Sequence, residues 1–135
     1  MNEIKNIENL LKEAKENKWP YPKTFEALRD FGVKDYEVHI EDGYDSTYSG
    51  TFGTWKEGAP KGYIPTAVAE NASQEKFIYA IKKHQRGETN FVELLAEIAL
   101  AGISYYKVDI AARTVSYFDK ASNIIHQEVV PIWNK

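Results

Sequence analysis

The sequence predicts an α+β fold, in which an antiparallel sheet of about five strands is covered on one face by about four helices. Apolar residues recur at helical spacing in four segments, and strict alternation of apolar and polar residues follows in others. A frame of residues also recurs 70 positions later in the chain: Gly32, Tyr36, Val38 and Ile40, then Gly102, Tyr106, Val108 and Ile110. The pattern predicts two similar helix-helix-hairpin halves.

The first half should begin with two helices. From Glu3 to Asn17 one apolar stripe runs along an otherwise charged segment, and it consists of Ile4, Ile7, Leu10, Leu11 and Ala14. The two prolines in 19–22 should end this helix, because proline fixes its own φ and disfavours helix in the residue before it. A second helix should run to about Phe31, with Gly32 supplying the left-handed residue after its end.

A hairpin should complete the first half. Tyr36, Val38 and Ile40 alternate with polar residues from Asp35 to Glu41, which is the period of a strand with one wet face. Asp42-Gly43 is a strong turn signal, and residues 44–51 would form the returning strand.

The second half should repeat this order. Ser73 can cap a helix that Gly87 stops, and Thr89 can cap the next helix. The expected inward residues of these helices are Phe77, Ile78, Ile81, Phe91, Leu94, Leu95, Ile98 and Ala101. Turns near 111–113 and 120–123 should then separate strands at 114–119 and 124–130.

We expect one domain, 1–135, with half-repeats at about 3–51 and 73–130, because each half is too short to bury its apolar faces alone. Internal duplication and the constraints of any αα-β-β unit are both open explanations. A loop rich in Gly and aromatic residues, 52–72, connects the halves. It is either a binding loop or a tethered connector, and Thr66 to Ala69 could add another strand.

Composition limits the function. The net charge of −3 and the pI near 5.6 oppose nucleic-acid binding without a local basic patch. The chain has no cysteine, which suits a reducing compartment, and no apolar stretch is long enough to span a membrane. We therefore expect a cytoplasmic protein that binds neither nucleic acid nor membrane.

Several separated motifs, in order, resemble those of one family. Residues 82–91, KKHQRGETNF, resemble KxHQxGxTxY/F, and 117–123, YFDKASN, are similar to YYDKAGN. Phe31 to Tyr36 and Ala101 to Asp109 look like LGVxxYE and SGIxxWxVD. These motifs belong to the YdfO/YbcV-like proteins, uncharacterised bacterial and prophage proteins of which some are labelled phage envelope proteins. The resemblance implies no reaction, cofactor or catalytic residue, and a compact acidic domain does not fit the envelope label.

The function expected is noncatalytic binding of a protein or small molecule by an accessory protein. The alternative is an enzyme or ligand sensor with a pocket between the halves. The candidate ligand-binding residues are His84, Gln85, Tyr48, Trp55 and Tyr63. His84 is either a ligand-binding or acid-base residue, or a helix-end residue that opposes the helix dipole.

No catalytic residue, metal site or cofactor is predicted, since the three histidines lack the spacing of known metal motifs. Strands 114–119 and 124–130 carry few charges that would protect a sheet edge, which makes a homodimer through an edge strand a further expectation.

Overall fold

The computed structural model describes residues 2–40, 44–59 and 62–133. The helices are α1 (Asn2–Glu16), α2 (Tyr21–Phe31), α3 (Gln74–Gln85) and α4 (Phe91–Leu100). The strands are β1 (Val33–His39), β2 (Asp45–Gly50), β3 (Gly53–Glu57), β4 (Tyr105–Asp109), β5 (Thr114–Phe118) and β6 (Ile124–Val129). Within these ranges, none of the helices combines the length and apolar character needed to span a bilayer. The predicted Asp42-Gly43 turn and the predicted packing of the Ile4 side chain lie outside the described part.

The strands form one antiparallel sheet in the order β3-β2-β1-β4-β5-β6. The predicted α+β class with an antiparallel sheet and four helices is confirmed. Strands β1 and β4 pair at the centre, so each half of the chain supplies three neighbouring strands. Strand β5 lies between β4 and β6, so residues 114–119 are not an edge; the edge strands are β3 and β6.

The sheet has six strands instead of about five, because part of the predicted loop forms β3. Gly50 faces Gly53 across a two-residue turn, and Gly53 has a φ of 105°, so the chain reverses directly after β2. Thr66 to Ala69, considered as an additional strand, have irregular backbone. The Ala69 N–H instead donates to the Ala99 carbonyl at 3.0 Å, which fastens this segment to α4.

The helices cover one face of the sheet. Side chains of β1 and β4 alternate between the buried core and a wet face, as Val38 and Val108 are buried whereas Asp35 and Asp109 are exposed. The buried row packs in one cluster with apolar residues from all four helices, including Ile7, Leu11, Phe25, Leu28, Phe77, Leu95 and Ile98.

Local signals set the helix ends. Gly32, with φ 113°, follows α2 and donates its N–H to the carbonyls of the last turn, as predicted. Ser73 caps α3 by accepting the Lys76 N–H. The prediction that Thr89 caps α4 is wrong: Asn90 accepts the Glu93 N–H at 2.8 Å, and the Glu93 side chain accepts the Asn90 N–H. This reciprocal capping box satisfies two free N–H groups, which a cap at Thr89 would not.

Candidate functional site

Two adjoining cavities lie between the helices and the sheet, one of about 260 Å³ and one of about 140 Å³. Both are bordered by Tyr21, Phe91, Tyr36 and Tyr106. Tyr21 and Phe91 begin α2 and α4, and Tyr36 and Tyr106 lie in the central strands. The members of each pair are 70 positions apart in the sequence. We call the two cavities together the cleft, and its shared border draws matched aromatic residues from both halves.

Two rows of side chains cross the sheet beneath the cleft. From β3 to β6, one row runs Trp55, Tyr48, Tyr36, Val108, Val115 and Glu128. From β6 to β3, the adjacent row runs His126, Tyr117, Tyr106, Val38, Ser46 and Glu57. Residues directly opposite one another on neighbouring strands share a face. Each row thus begins with an aromatic ring, continues with two tyrosines and ends with a glutamate. The rows differ at the fifth position, which is Val115 in the first row and Ser46 in the second.

The tyrosines of the floor pack against one another and stay protonated. The rings of Tyr36 and Tyr48 stack with centroids 4.7 Å apart, and those of Tyr106 and Tyr117 are 5.3 Å apart. Burial raises the pKa of Tyr36, Tyr106, Tyr48 and Tyr117 well above the ordinary value. Burial also raises the pKa of Tyr21 to about 12. At neutral pH these hydroxyls are therefore neutral hydrogen-bonding groups, not general bases.

Of the carboxylates in the described part of the chain, one borders each cavity. Glu57 borders the smaller cavity, where the Lys15 Nζ lies 3.5 Å from its Oε2. Glu128 borders the larger cavity; Tyr117 Oη donates to its Oε1 at 3.5 Å, and His126 Nε2 lies 3.6 Å from its Oε2. The charges of Glu128 and Glu57 add to the raised pKa values of the nearby tyrosines, which places these hydroxyls in a negative field.

The predicted residues His84 and Gln85 end α3 and border the larger cavity. The Nδ1 of His84 lies 3.0 Å from the Thr89 carbonyl oxygen and 3.1 Å from its Oγ1. A carbonyl oxygen only accepts, so Nδ1 carries the hydrogen and Nε2 is the acceptor of the neutral ring. His84 thus both fastens the turn between α3 and α4 and borders the cleft.

The other three predicted residues fall at different places. Tyr48 is buried and borders the smaller cavity. Trp55 lies beside Tyr48 on the edge strand β3, and the centroids of the two rings are 5.4 Å apart. Tyr63 packs edge-on against Tyr44, and its hydroxyl donates to the Ile40 carbonyl at 3.5 Å. Trp55 and Tyr63 therefore cover other aromatic side chains at one end of the sheet.

Sequence reasoning did not select the residues that the two cavities share. Tyr21 belongs to the segment interpreted as a chain turn, and Tyr36 and Tyr106 to the core rows. Phe91 was expected to point inward, but 37% of its surface is exposed, because it stands at the opening of the cleft at the start of α4. The signal that could have found these residues is their 70-residue spacing, which pairs aromatic with aromatic at both places.

Among the described residues, no three or more His, Asp or Glu side chains are arranged to hold a metal ion.

The comparison with protein families gives a match over most of the chain, while the comparison with curated proteins finds none. The family match covers residues 9–129, which include every element from α2 to β6. The chain therefore belongs to the family described as protein of unknown function, DUF1398.

Proposed function

We propose that the protein is a noncatalytic binding module that holds a small molecule in the cleft. The observation that carries this proposal is the shared aromatic border, since Tyr21 and Tyr36 come from one half and Phe91 and Tyr106 from the other. Ligand sites are typically concave and lined by apolar and aromatic side chains with a few polar groups. The larger cavity has this composition, and its volume suits a ligand of modest size.

The tyrosines favour binding over catalysis. An enzyme site holds groups whose pKa values are matched to proton transfer near neutral pH. In the cleft, burial raises the pKa values of Tyr36 and Tyr106 further from neutral pH and favours their protonated hydroxyls. These groups suit the recognition of a ligand by hydrogen bonds and ring contacts.

The test has two parts. Native mass spectrometry of the gently purified protein reports any retained small molecule, and protein NMR monitors a titration with 4-tert-butylphenol. We expect resonances of Tyr36, Tyr106 and His84 to shift on addition of the phenol. Phe91→Ser should weaken its binding at least about fivefold, since it removes an aromatic wall at the opening. Leu100→Ser is the matched control, because Leu100 is also exposed on α4 but does not border the cleft. Shifts confined to the wet sheet face, or equal weakening by both variants, would contradict the proposal.

A catalytic use of the cleft is the alternative, and the position of His84 at the larger cavity favours it. Any small molecule retained in the native mass spectrum provides the test. Incubation with the wild-type protein should leave its mass unchanged if the module only binds. A new product that disappears in His84→Gln would support catalysis instead.

We also propose a cytoplasmic, prophage-associated accessory protein that self-associates through β6. Ile124 and Val129 on this edge strand are 57% and 71% exposed. Exposed apolar edges pair readily with a second strand. Light scattering over increasing protein concentration should show a dimer that Val129→Lys abolishes, and a monomer at every concentration would remove this part of the proposal.

A further inference from the structure

We propose that the larger cavity selects an organic cation, an amine or quaternary ammonium group on a small aromatic body, with Glu128 as its counter-charge. This inference rests on the proposed function and names its ligand class. The geometry that points to it has two parts. The carboxylate of Glu128 borders an aromatic cavity, and the lysine of the cleft, Lys15, borders the other cavity.

The charge on the border of the larger cavity is negative. Glu128 is its carboxylate, and the remaining border consists of aromatic and aliphatic residues with His84 and Gln85. The lysine of the cleft, Lys15, borders the smaller cavity and is matched by Glu57 at 3.5 Å. An anionic ligand in the larger cavity would therefore meet Glu128, and among the described residues of the same border there is no lysine or arginine to balance it.

The two glutamates that end the rows, Glu57 and Glu128, differ in their partners. Glu57 pairs with the permanent charge of Lys15, whereas the ion-pair partner of Glu128 among the described residues is His126. An imidazole carries a full charge only when it is protonated. When the imidazole is neutral, it does not balance the negative charge of Glu128. A cationic ligand in the larger cavity would then supply the counter-charge.

The aromatic border suits a cation for a second reason. Ring faces of tyrosine and phenylalanine attract an ammonium group through their quadrupole, most strongly where water is excluded. Tyr21, Tyr36, Tyr106 and Tyr117 border the larger cavity, and their hydroxyl oxygens can also accept a hydrogen bond from an amine. The charge of Glu128 reaches the hydroxyls of Tyr21 and Tyr117, so its field extends into the cavity.

A matched pair of probes isolates the charge: (4-hydroxybenzyl)trimethylammonium and 4-neopentylphenol, which have the same shape and both keep a protonated phenol group because a methylene separates the ring from the charged or neutral head. Calorimetric titration at about pH 8, above the ordinary range of histidine, keeps imidazoles neutral. We expect the cation to bind wild-type protein at least about tenfold more tightly than its neutral counterpart. Glu128→Gln should reduce this preference below about threefold, because it should weaken binding of the cation more than that of the neutral phenol.

Glu75→Gln is the control, because it removes the same charge from an exposed residue of α3 outside the cleft. Thermal denaturation of each variant confirms folding. A second measurement needs no variant: rising NaCl should weaken binding of the cation and not that of the phenol.

The outcomes separate the two proposals. Equal affinities for both probes, insensitive to Glu128→Gln, would overturn the cation inference and leave the binding function standing. Tighter binding of 4-tert-butylbenzoate than of the cation would overturn it as well. Failure of both the cation and the phenol to shift resonances of the cleft would overturn the proposed function itself.

Discussion

The hydroxyl groups of Tyr21 and Tyr36 are in hydrogen-bond contact, which ties the first residue of α2 to the centre of β1 at the wall of the cleft. Tyr36 is 6% exposed, and although 41% of Tyr21 is exposed, its hydroxyl end points inward. The corresponding residues of the second half are Phe91 and Tyr106, and phenylalanine has no hydroxyl. The pair Phe91 and Tyr106 therefore cannot form the corresponding hydrogen bond, and the contact distinguishes the two pairs.

Removing either hydroxyl should leave its partner without this bond. We expect Tyr21→Phe and Tyr36→Phe each to lower the free energy of unfolding by about 1 to 2 kcal/mol. The double variant should cost less than the sum of the two, with a coupling of about 1 kcal/mol, in urea denaturation. Tyr79→Phe, on an exposed side chain of α3, should have no effect. Strictly additive losses would show that the contact does not stabilise the fold.

Gly102 should tolerate alanine less well than Gly87, although both have positive φ angles, 91° and 79°. A Cβ at Gly102 would lie 2.5 Å from the Ala72 Cα, whereas a Cβ at Gly87 would have open space. Backbone strain alone should cost Gly87→Ala about 1 to 2 kcal/mol. Gly102→Ala should cost at least about twice as much in the same denaturation experiment, because backbone must move.

The contact at Gly102 involves the main chain of residue 72. Ala72→Gly should therefore fail to rescue Gly102→Ala. Full rescue, or equal losses at Gly87 and Gly102, would contradict the proposed packing of this turn.

The fold was largely predictable because its signals are local. Alternation around Tyr36 and Tyr106 and the glycines after the helices specify strands and helix ends within a few residues. Strand β3 was not recognised, because its Gly, Lys and Glu content resembles a loop and its pairing depends on β2. The capping of α4 was misassigned by one position, since Thr89 and Asn90 are both good capping residues and the Glu93 side chain decides between them.

The cleft was harder to predict. Helical and strand periodicity mark a residue as inward, but they do not say whether the space inside is filled. Tyr36 and Tyr106 read as core residues, and only the packing of α2 and α4 over the central strands leaves a cavity above them. His84 and Gln85 are candidates from the sequence alone; they end α3 and border the larger cavity, and their role in binding stays a prediction.

The α4 cap gives a direct comparison of neighbouring residues. Asn90→Ala should lower the free energy of unfolding by about 1 kcal/mol, since it removes the acceptor of the Glu93 N–H. Asn90→Asp should retain most of the stability, because a carboxylate accepts the same bond and suits the positive end of the helix. Thr89→Ala should leave amide protection in the first turn of α4 unchanged in hydrogen exchange. Loss of that protection in Thr89→Ala would show that Thr89 contributes to the cap.

Glu26 should make the protein sensitive to acid. Arg113 Nη2 donates to Glu26 Oε2 at 2.7 Å and to the Pro131 carbonyl at 3.0 Å, joining α2 to the end of the chain after β6. The hydrogen bond from Arg113 holds the pKa of Glu26 below its ordinary value of 4.5.

A lowered pKa in the folded state contributes stability that is present above the ordinary value and is lost as the pH falls through the folded value. The free energy of unfolding should therefore fall more steeply below about pH 4.5 in the wild type than in Glu26→Gln, whereas Glu75→Gln should follow the wild type. Parallel profiles for wild type and Glu26→Gln in urea denaturation from neutral pH downward would show that this ion pair does not contribute to stability.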